Sequence, residues 1–342
     1  MSANIHSKTP AETPAEKVFS FSFWHLFDVI GPLLLLIVIF LVITLIHPAF
    51  FSTANMMTIS LQASVNALLA IGMTLVIISG GIDLSVGTMM SLSMVVMAVA
   101  TTSLGIPMSG AMVIAIGLGI VGGAINGFLI AYGRIPAFIV TLGMLGIAQG
   151  TALKLSGGYA LYGFPEWFDY IGNGELLGIP FPIWIVAVVA ILAHYIFTQR
   201  PLGRYTYASG ASEESVRRAG VNVKRLRIKI YMFAGFTVGC AAIVLSSRVS
   251  SAHPGIGLGY ELDAIAAAVI GGASLMGGRG SVMGAVSGAL VMATIRFALN
   301  VFGMDPFLQQ IVVGVVLIGA VYLDTIRVSY EATLTKARAR QK

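Results

Sequence analysis

Apolar runs separated by short polar or glycine-rich breaks dominate the chain from residue 29 to residue 325. Crossing a bilayer takes roughly 17 to 25 predominantly apolar residues. The pattern predicts ten spans, over 29–46, 61–79, 84–103, 109–132, 136–155, 180–198, 229–250, 261–276, 281–302 and 307–325. The eighth is short and the fifth is interrupted by glycines, so these two are candidates for segments that re-enter the membrane. The expected fold is all-α, a polytopic helical bundle over residues 29–325. A cytosolic tail over 1–28 precedes it and a basic cytosolic tail over 326–342 follows. Residues 1–28 hold Pro10, Pro14 and several charges with no apolar core, so the first run reads as an uncleaved anchor, not a signal peptide.

Composition agrees with a bilayer as solvent. Of 342 residues, 57% are hydrophobic and 10% charged, against about 25% charged in soluble domains. Forty glycines suit close approach of membrane helices. The net charge of +6 would point to nucleic acid if the basic residues formed a patch. They instead mark topology: with the N-terminus in the cytosol, all of the twenty Lys and Arg except Lys154, Arg248 and Arg296 fall on the cytosolic side. Arg296 lies inside a span near its outer end, where it can snorkel. Both termini are expected in the cytosol, with no nucleic-acid partner. Cys240 is the single cysteine, which excludes an internal disulfide and offers no metal cluster.

Two loops interrupt the pattern. Residues 156–179, outside, carry Tyr159, Tyr162, Phe164, Trp167, Phe168 and Tyr170, the composition of an interfacial aromatic belt or of a docking surface. Residues 199–228, inside, contain Ser212-Glu213-Glu214-Ser215-Val216-Arg217-Arg218-Ala219-Gly220. Ser212 can cap a helix there, the acids sit at its positive end, the arginines occupy its last turn and Gly220 supplies a left-handed exit. So short a helix needs something to pack on. It is either a surface helix lying on the bundle or a lever that couples to a cytosolic motor. The chain has no G-x-x-x-x-G-K-[ST] phosphate loop; 271–280 is glycine-rich but lacks the required Lys and hydroxyl. Any ATP and Mg²⁺ must bind a partner, and no cofactor is expected in this chain.

Between spans two and three lies Ser79-Gly80-Gly81-Ile82-Asp83-Leu84-Ser85-Val86-Gly87. Asp83 stands where it could cap the third helix. If the break lies deep, Asp83 and the helix end would instead face a polar solute. Gly271-Gly272 precedes Gly278 by the spacing that separates Gly80-Gly81 from Gly87. Spans two to five and seven to ten therefore read as two inverted copies of one unit. Asn66, Ser85, Asn126 and Gln149 lie in or beside spans, where they can line a path or bond between helices.

These residues carry a family resemblance. The run from Gly80 to Gly87 resembles the signature of permease subunits of ribose-type bacterial ABC sugar importers. So do Gly178-Ile179-Pro180-Phe181-Pro182, the stretch from Pro201-Leu202-Gly203-Arg204 to Ala219-Gly220, and Gly271-Gly272-Ala273-Ser274 with Gly277-Gly278-Arg279-Gly280. The motifs stand in the family's order from about residue 55 to 325. The resemblance implies a type II importer architecture with two permease subunits, identical or homologous, around a central pathway. It also implies a cytosolic ABC ATPase, an external sugar-binding protein and location in the bacterial inner membrane. Ser212 to Gly220 would be the coupling helix; Ser215, Val216, Arg217 and Arg218 depart from the alanine-rich pattern usual there, which changes the partner surface.

Related permeases carry branched-chain amino acids or nucleosides, so the cargo class stays open beside the sugar reading. An ion-coupled secondary transporter would need membrane carboxylates or histidines, and Asp83 alone stands clear of a span's polar end. An intramembrane enzyme would need a nucleophile with its base or a metal triad. The five histidines are scattered, and neither H-E-x-x-H nor G-x-S-x-G occurs.

Overall fold

The computed structural model describes residues 31–340, with the side chains of that range except at 327 and 331–340. The tail over 1–28, the first two residues of the first span and the last two of the chain lie outside the described residues. Within them the chain forms α1 (Gly31–Ile46), a 3-10 turn at Pro48–Phe50, α2 (Thr53–Ile78), α3 (Val86–Thr102), α4 (Met108–Gly133) and α5 (Ala137–Ser156). There follow α6 (Glu166–Asn173), a two-stranded hairpin of β1 (Glu175–Leu176) and β2 (Ile179–Pro180), and α7 (Phe181–Gln199). The chain continues as α8 (Pro201–Ala211), α9 (Glu213–Arg218), α10 (Val223–Val249), α11 (Tyr260–Ile270), α12 (Val282–Val301) and α13 (Pro306–Arg340).

Seven of these helices, α2, α4, α5, α7, α10, α12 and α13, are long and apolar enough to cross a membrane. The apolar α1 and α3 are shorter, and α11 has only 11 residues. Each expected span thus has a helix, with corrections: the second and seventh begin earlier than expected, at Thr53 and Val223. The eighth ends at Ile270 instead of 276, because Gly271 abuts Gly284 of α12 and Gly272 turns the chain at φ +88°. The fifth is one unbroken helix despite its glycines. The tenth runs past residue 325 to Arg340, through what the pattern assigns to a tail.

Apolar residues surround α2 on every side, the signature of a fully buried helix. Residues 63–78 are all buried, and α10, α11, α12 and α7 enclose them. Glycines set the closest helix contact. On α4, Gly119, Gly123 and Gly127 face Gly235, Tyr231 and Ile228 of α10, and a Cβ at any of the three would run into the opposing backbone. In lipid, where apolar burial gives no net drive between helices, such approach is how packing is gained.

The helices pack as two equivalent sets. Helix α2 contacts α10, α11 and α12, while α10 contacts α2, α3 and α4; α3 packs on α4 and α5, as α11 does on α12 and α13. Exchanging α2–α5 with α10–α13 preserves these neighbours, though α4 also packs on α5 and α12 has no comparable contact with α13. The sets are inverted: Gly72 of α2 meets Ala234 and Thr237, while Leu61, earlier in α2, accepts from Arg248, later in α10. This is the inverted repeat expected from the sequence, but with a different pairing of motifs. The counterpart of the Gly80–Gly81 connection is 250–259, between α10 and α11. Gly271-Gly272 joins α11 to α12 and corresponds to the α3–α4 turn.

Candidate functional site

The connection from α2 to α3 is built by glycine and one acid. Gly80 takes φ +79° and Gly81 donates to Val76 O at 3.0 Å, which closes α2 as a helix end. Asp83, 4% exposed, accepts from Ser85 N at 2.9 Å and Ser85 Oγ at 2.6 Å. Ser85 Oγ in turn accepts from Asn126 Nδ2 of α4 at 3.0 Å. Ser85, not Asp83, is the residue before α3, and no side chain caps that helix. Asp83 therefore closes the turn ahead of the helix rather than bonding its first amides.

The start of α3 meets the corresponding connection of the second set. Gly87 and Gly257 are so close that a Cβ on either would strike the other's carbonyl oxygen. Gly257 N donates to Ser91 Oγ at 2.8 Å. Beyond it Glu261 accepts from Gly259 N at 3.1 Å, and Asp263, 2% exposed, pairs with Arg296 of α12 at 2.8 Å. Two broken helices thus begin against each other, each with a carboxylate at its start.

Sequence reasoning missed this ion pair. Arg296 does not snorkel; it turns inward to Asp263. The signal was available, because a cation inside an apolar span needs a buried anion. For the same reason Asp83 is not the one internal acid. Asn66 is buried in α2, and its Oδ1, like the Oδ1 of Asn126 and the Oε1 of Gln149, has no hydrogen-bond partner among the described residues. Asn66 does not join the Asp83–Ser85–Asn126 chain.

Gly271 packs on Gly284 of α12, and the loop that follows, through Gly277, Gly278 and Gly280, meets α8 and the end of α2. Gly278 N donates to Ile78 O, the last residue of α2, at 2.8 Å. Gly210 of α8 is pressed between Ile78 O and Gly278 N, where no side chain fits. Tyr207 of α8 donates to Gly280 O at 2.7 Å; burial pushes its phenol up to about 12, so it stays a donor at neutral pH. Ser274 Oγ and Leu275 N donate to Asp324 Oδ2 of α13, at 3.0 and 3.2 Å. Helix α8 is therefore bolted to the end of α2 and to the 277–280 loop that leads into α12.

The helix α9 has the construction its sequence predicts. Ser212 Oγ accepts from Ser215 N, Glu213 and Glu214 occupy the first turn, Arg217 and Arg218 the last, and Gly220 exits at φ +81°. Glu214 pairs with Arg218, and Glu213 with Arg227 of α10. Only Val216 is buried, so the helix rests on the body through Val216 and the Glu213–Arg227 pair, and its other side chains are exposed. At the opposite end of α10, the aromatic loop folds into α6, whose Phe168 is fully buried and whose Gly172 N donates to Ser247 Oγ at 2.6 Å. Tyr159, Tyr162 and Trp167 remain exposed.

Residues 55–321 match the family described as branched-chain amino acid transport system / permease component. The chain is 41% identical over 298 residues to the ribose import permease of Escherichia coli K12, covering 85% of this chain and 92% of that protein. It is 37% identical over 297 residues to the ribose import permease of Bacillus subtilis, covering 86% and 92%. With the D-allose transport system permease of Escherichia coli K12 it shares 34% over 322 residues, 93% of this chain and 97% of that protein. No solved structure gives a significant match. The chain, a bundle of apolar helices in two inverted sets, belongs to this family of multi-pass membrane permease components.

Proposed function

We propose that the chain is the sugar-translocating permease subunit of an ATP-driven bacterial importer, set in the inner membrane with both termini cytosolic. An external binding protein delivers the sugar, and a second permease subunit, identical or homologous, completes the pathway. ATP and Mg²⁺ bind a separate cytosolic ABC ATPase, so this chain is not itself an enzyme. The similarity to ribose and allose permeases supports a monosaccharide cargo over amino acids or nucleosides. A pathway for a neutral polar solute suits the interior, where the ion pair of Asp263 is internally compensated. The one-sided distribution of basic residues supports the orientation.

The observation that carries the reading is the route from α9 to the core. A push on the exposed surface of Ser212–Gly220 reaches α8, and α8 is fixed through Gly210 and Tyr207 to the end of α2 and to the 271–280 loop. The Gly80–Gly81 turn and Asp83 follow directly from that end of α2. Motion imposed by a motor would thus arrive at the broken helices.

The test is uptake of labelled ribose and allose by cells carrying the complete system. Vanadate should stop accumulation and a protonophore should not. Arg217→Glu with Arg218→Glu should reduce uptake to background at unchanged membrane abundance. Uptake that collapses with the ion gradient but persists without ATP would replace this reading with a secondary transporter.

A further inference from the structure

Beside the α2–α3 turn, on the side of α9, a cavity of about 940 Å³ opens between the α4–α5 turn and the α9–α10 turn. Four cations line it, Arg134, Arg217, Lys224 and Arg227, against one acid, Glu213, whose carboxylate is already paired with Arg227. Arg134, Arg217 and Lys224 form no ion pair among the described residues; Lys224 lies 4.8 Å from the centre of the Tyr132 ring. Like charges gathered around one cavity repel unless something anionic sits among them.

Two further observations point to a ligand. Tyr231 lines the cavity and is 1% exposed, and its hydroxyl, lying against Gly81, has no hydrogen-bond partner among the described residues. A buried hydroxyl without a partner carries a desolvation cost that a bound acceptor would remove. The start of α5, at Pro136 and Ala137, also lines the cavity and has no side-chain cap. Its free amides and positive dipole end favour an anion. A neutral sugar calls for none of these charges.

We infer that this cavity binds a phosphate-bearing anion, the headgroup of an anionic membrane phospholipid. Arg134 and Lys224 hold its charge at the membrane surface, and Tyr231 and the α5 amides meet phosphate oxygens. A phosphodiester there would also neutralise Arg217, tying α9 to α4, α5 and α10. The occupant would thus set how firmly the lever is held, whichever solute the permease carries. Free inorganic phosphate has the same recognition chemistry and differs in lacking the acyl chains.

The experiment uses the purified full-length chain, delipidated in a neutral detergent. Binding of phosphatidylglycerol, phosphatidylcholine and inorganic phosphate is followed by native mass spectrometry and by thermal shift. Phosphatidylglycerol should bind one per chain and raise the melting temperature; phosphatidylcholine should do neither. Arg134→Gly with Lys224→Gln should weaken that binding about 30-fold, for two basic residues lost. Glycine suits the left-handed backbone at 134 (φ 55°), so folding of the lipid-free protein is preserved. Tyr231→Phe, which keeps the ring packing, should weaken binding about fivefold. Inorganic phosphate that binds the wild type and displaces the lipid would keep the anion site and change its source. Equal binding of phosphatidylcholine, or undiminished phosphatidylglycerol binding by the double variant, would overturn the assignment.

Discussion

The two broken helices begin alike in backbone and differently in chemistry. At the start of α3, Asp83 is held by neutral donors only, Ser85 N and Ser85 Oγ, with Asn126 behind them. At the start of α11, Asp263 is held by a guanidinium from α12. Inverted repetition reproduces how helices pack, since packing depends on shape and small residues, and leaves the polar groups free to diverge. The second connection carries a fixed, compensated charge. Both connections carry a carboxylate held by neutral donors only, Asp83 in the first and Glu261 in the second. The asymmetry is the additional Asp263–Arg296 ion pair of the second, and it is where the two halves can have separate duties.

The largest expected effect lies in the compensated half. Arg296→Met leaves Asp263 buried without a cation, and removing one member of a buried pair costs about 3–5 kcal/mol. Membrane abundance should fall sharply, and the purified protein should melt well below wild type. Arg296→Met combined with Asp263→Leu removes both charges and should recover most of the loss. A single variant as stable as wild type would mean that the ion pair does not hold α11 to α12.

A smaller effect is expected where the halves touch. Gly87→Ala places a methyl against Gly257 O, with the Glu261 carboxylate also in the way. Overpacking of this kind costs about 1–3 kcal/mol. Gly80→Ala has open space around its Cβ, yet its φ of +79° costs about 1–2 kcal/mol for any residue with a Cβ. Thermal shift on the two variants separates a close-contact glycine from a conformational one: adding Gly257→Ala should worsen Gly87→Ala more than it worsens Gly80→Ala.

What could be read from the sequence follows from how local each determinant is. Every feature of α9 lies within nine consecutive residues, Ser212 to Gly220, so cap, dipole charges and exit were all visible. The spans were visible because lipid demands long apolar runs. The end of α11 was not, since Gly271 stops it through contact with Gly284, on another helix. Spacing alone paired Gly271-Gly272 with Gly80-Gly81, and the true counterpart, 250–259, shares no such spacing. The repeat is therefore one of helix packing, not of motif. Arg296 and Asp263 stand 33 positions apart, so the cation inside a span signals that an anion is needed without saying which one. The basic cavity draws on α4, α9 and α10 and exists only once they converge.

The smallest effect on stability, and the sharpest test of the comparison, is Asp83→Asn. The asparagine Oδ1 can accept from Ser85 N and Ser85 Oγ as the carboxylate does, so the turn and the link to Asn126 survive. Stability should change by less than about 1 kcal/mol, whereas Asp263→Asn, which strands Arg296, should cost several times more. Hydrogen bonds that an amide makes equally well give no reason to keep an acid without a cation in a buried turn, where its charge is costly. The expectation to test is that the charge or the proton of Asp83 serves transport. Sugar uptake by Asp83→Asn should fall several-fold at normal abundance, while Ser85→Ala should lower stability and uptake together. Wild-type uptake by Asp83→Asn would reduce Asp83 to the closing of a turn, and the two halves would then differ in chemistry without differing in duty.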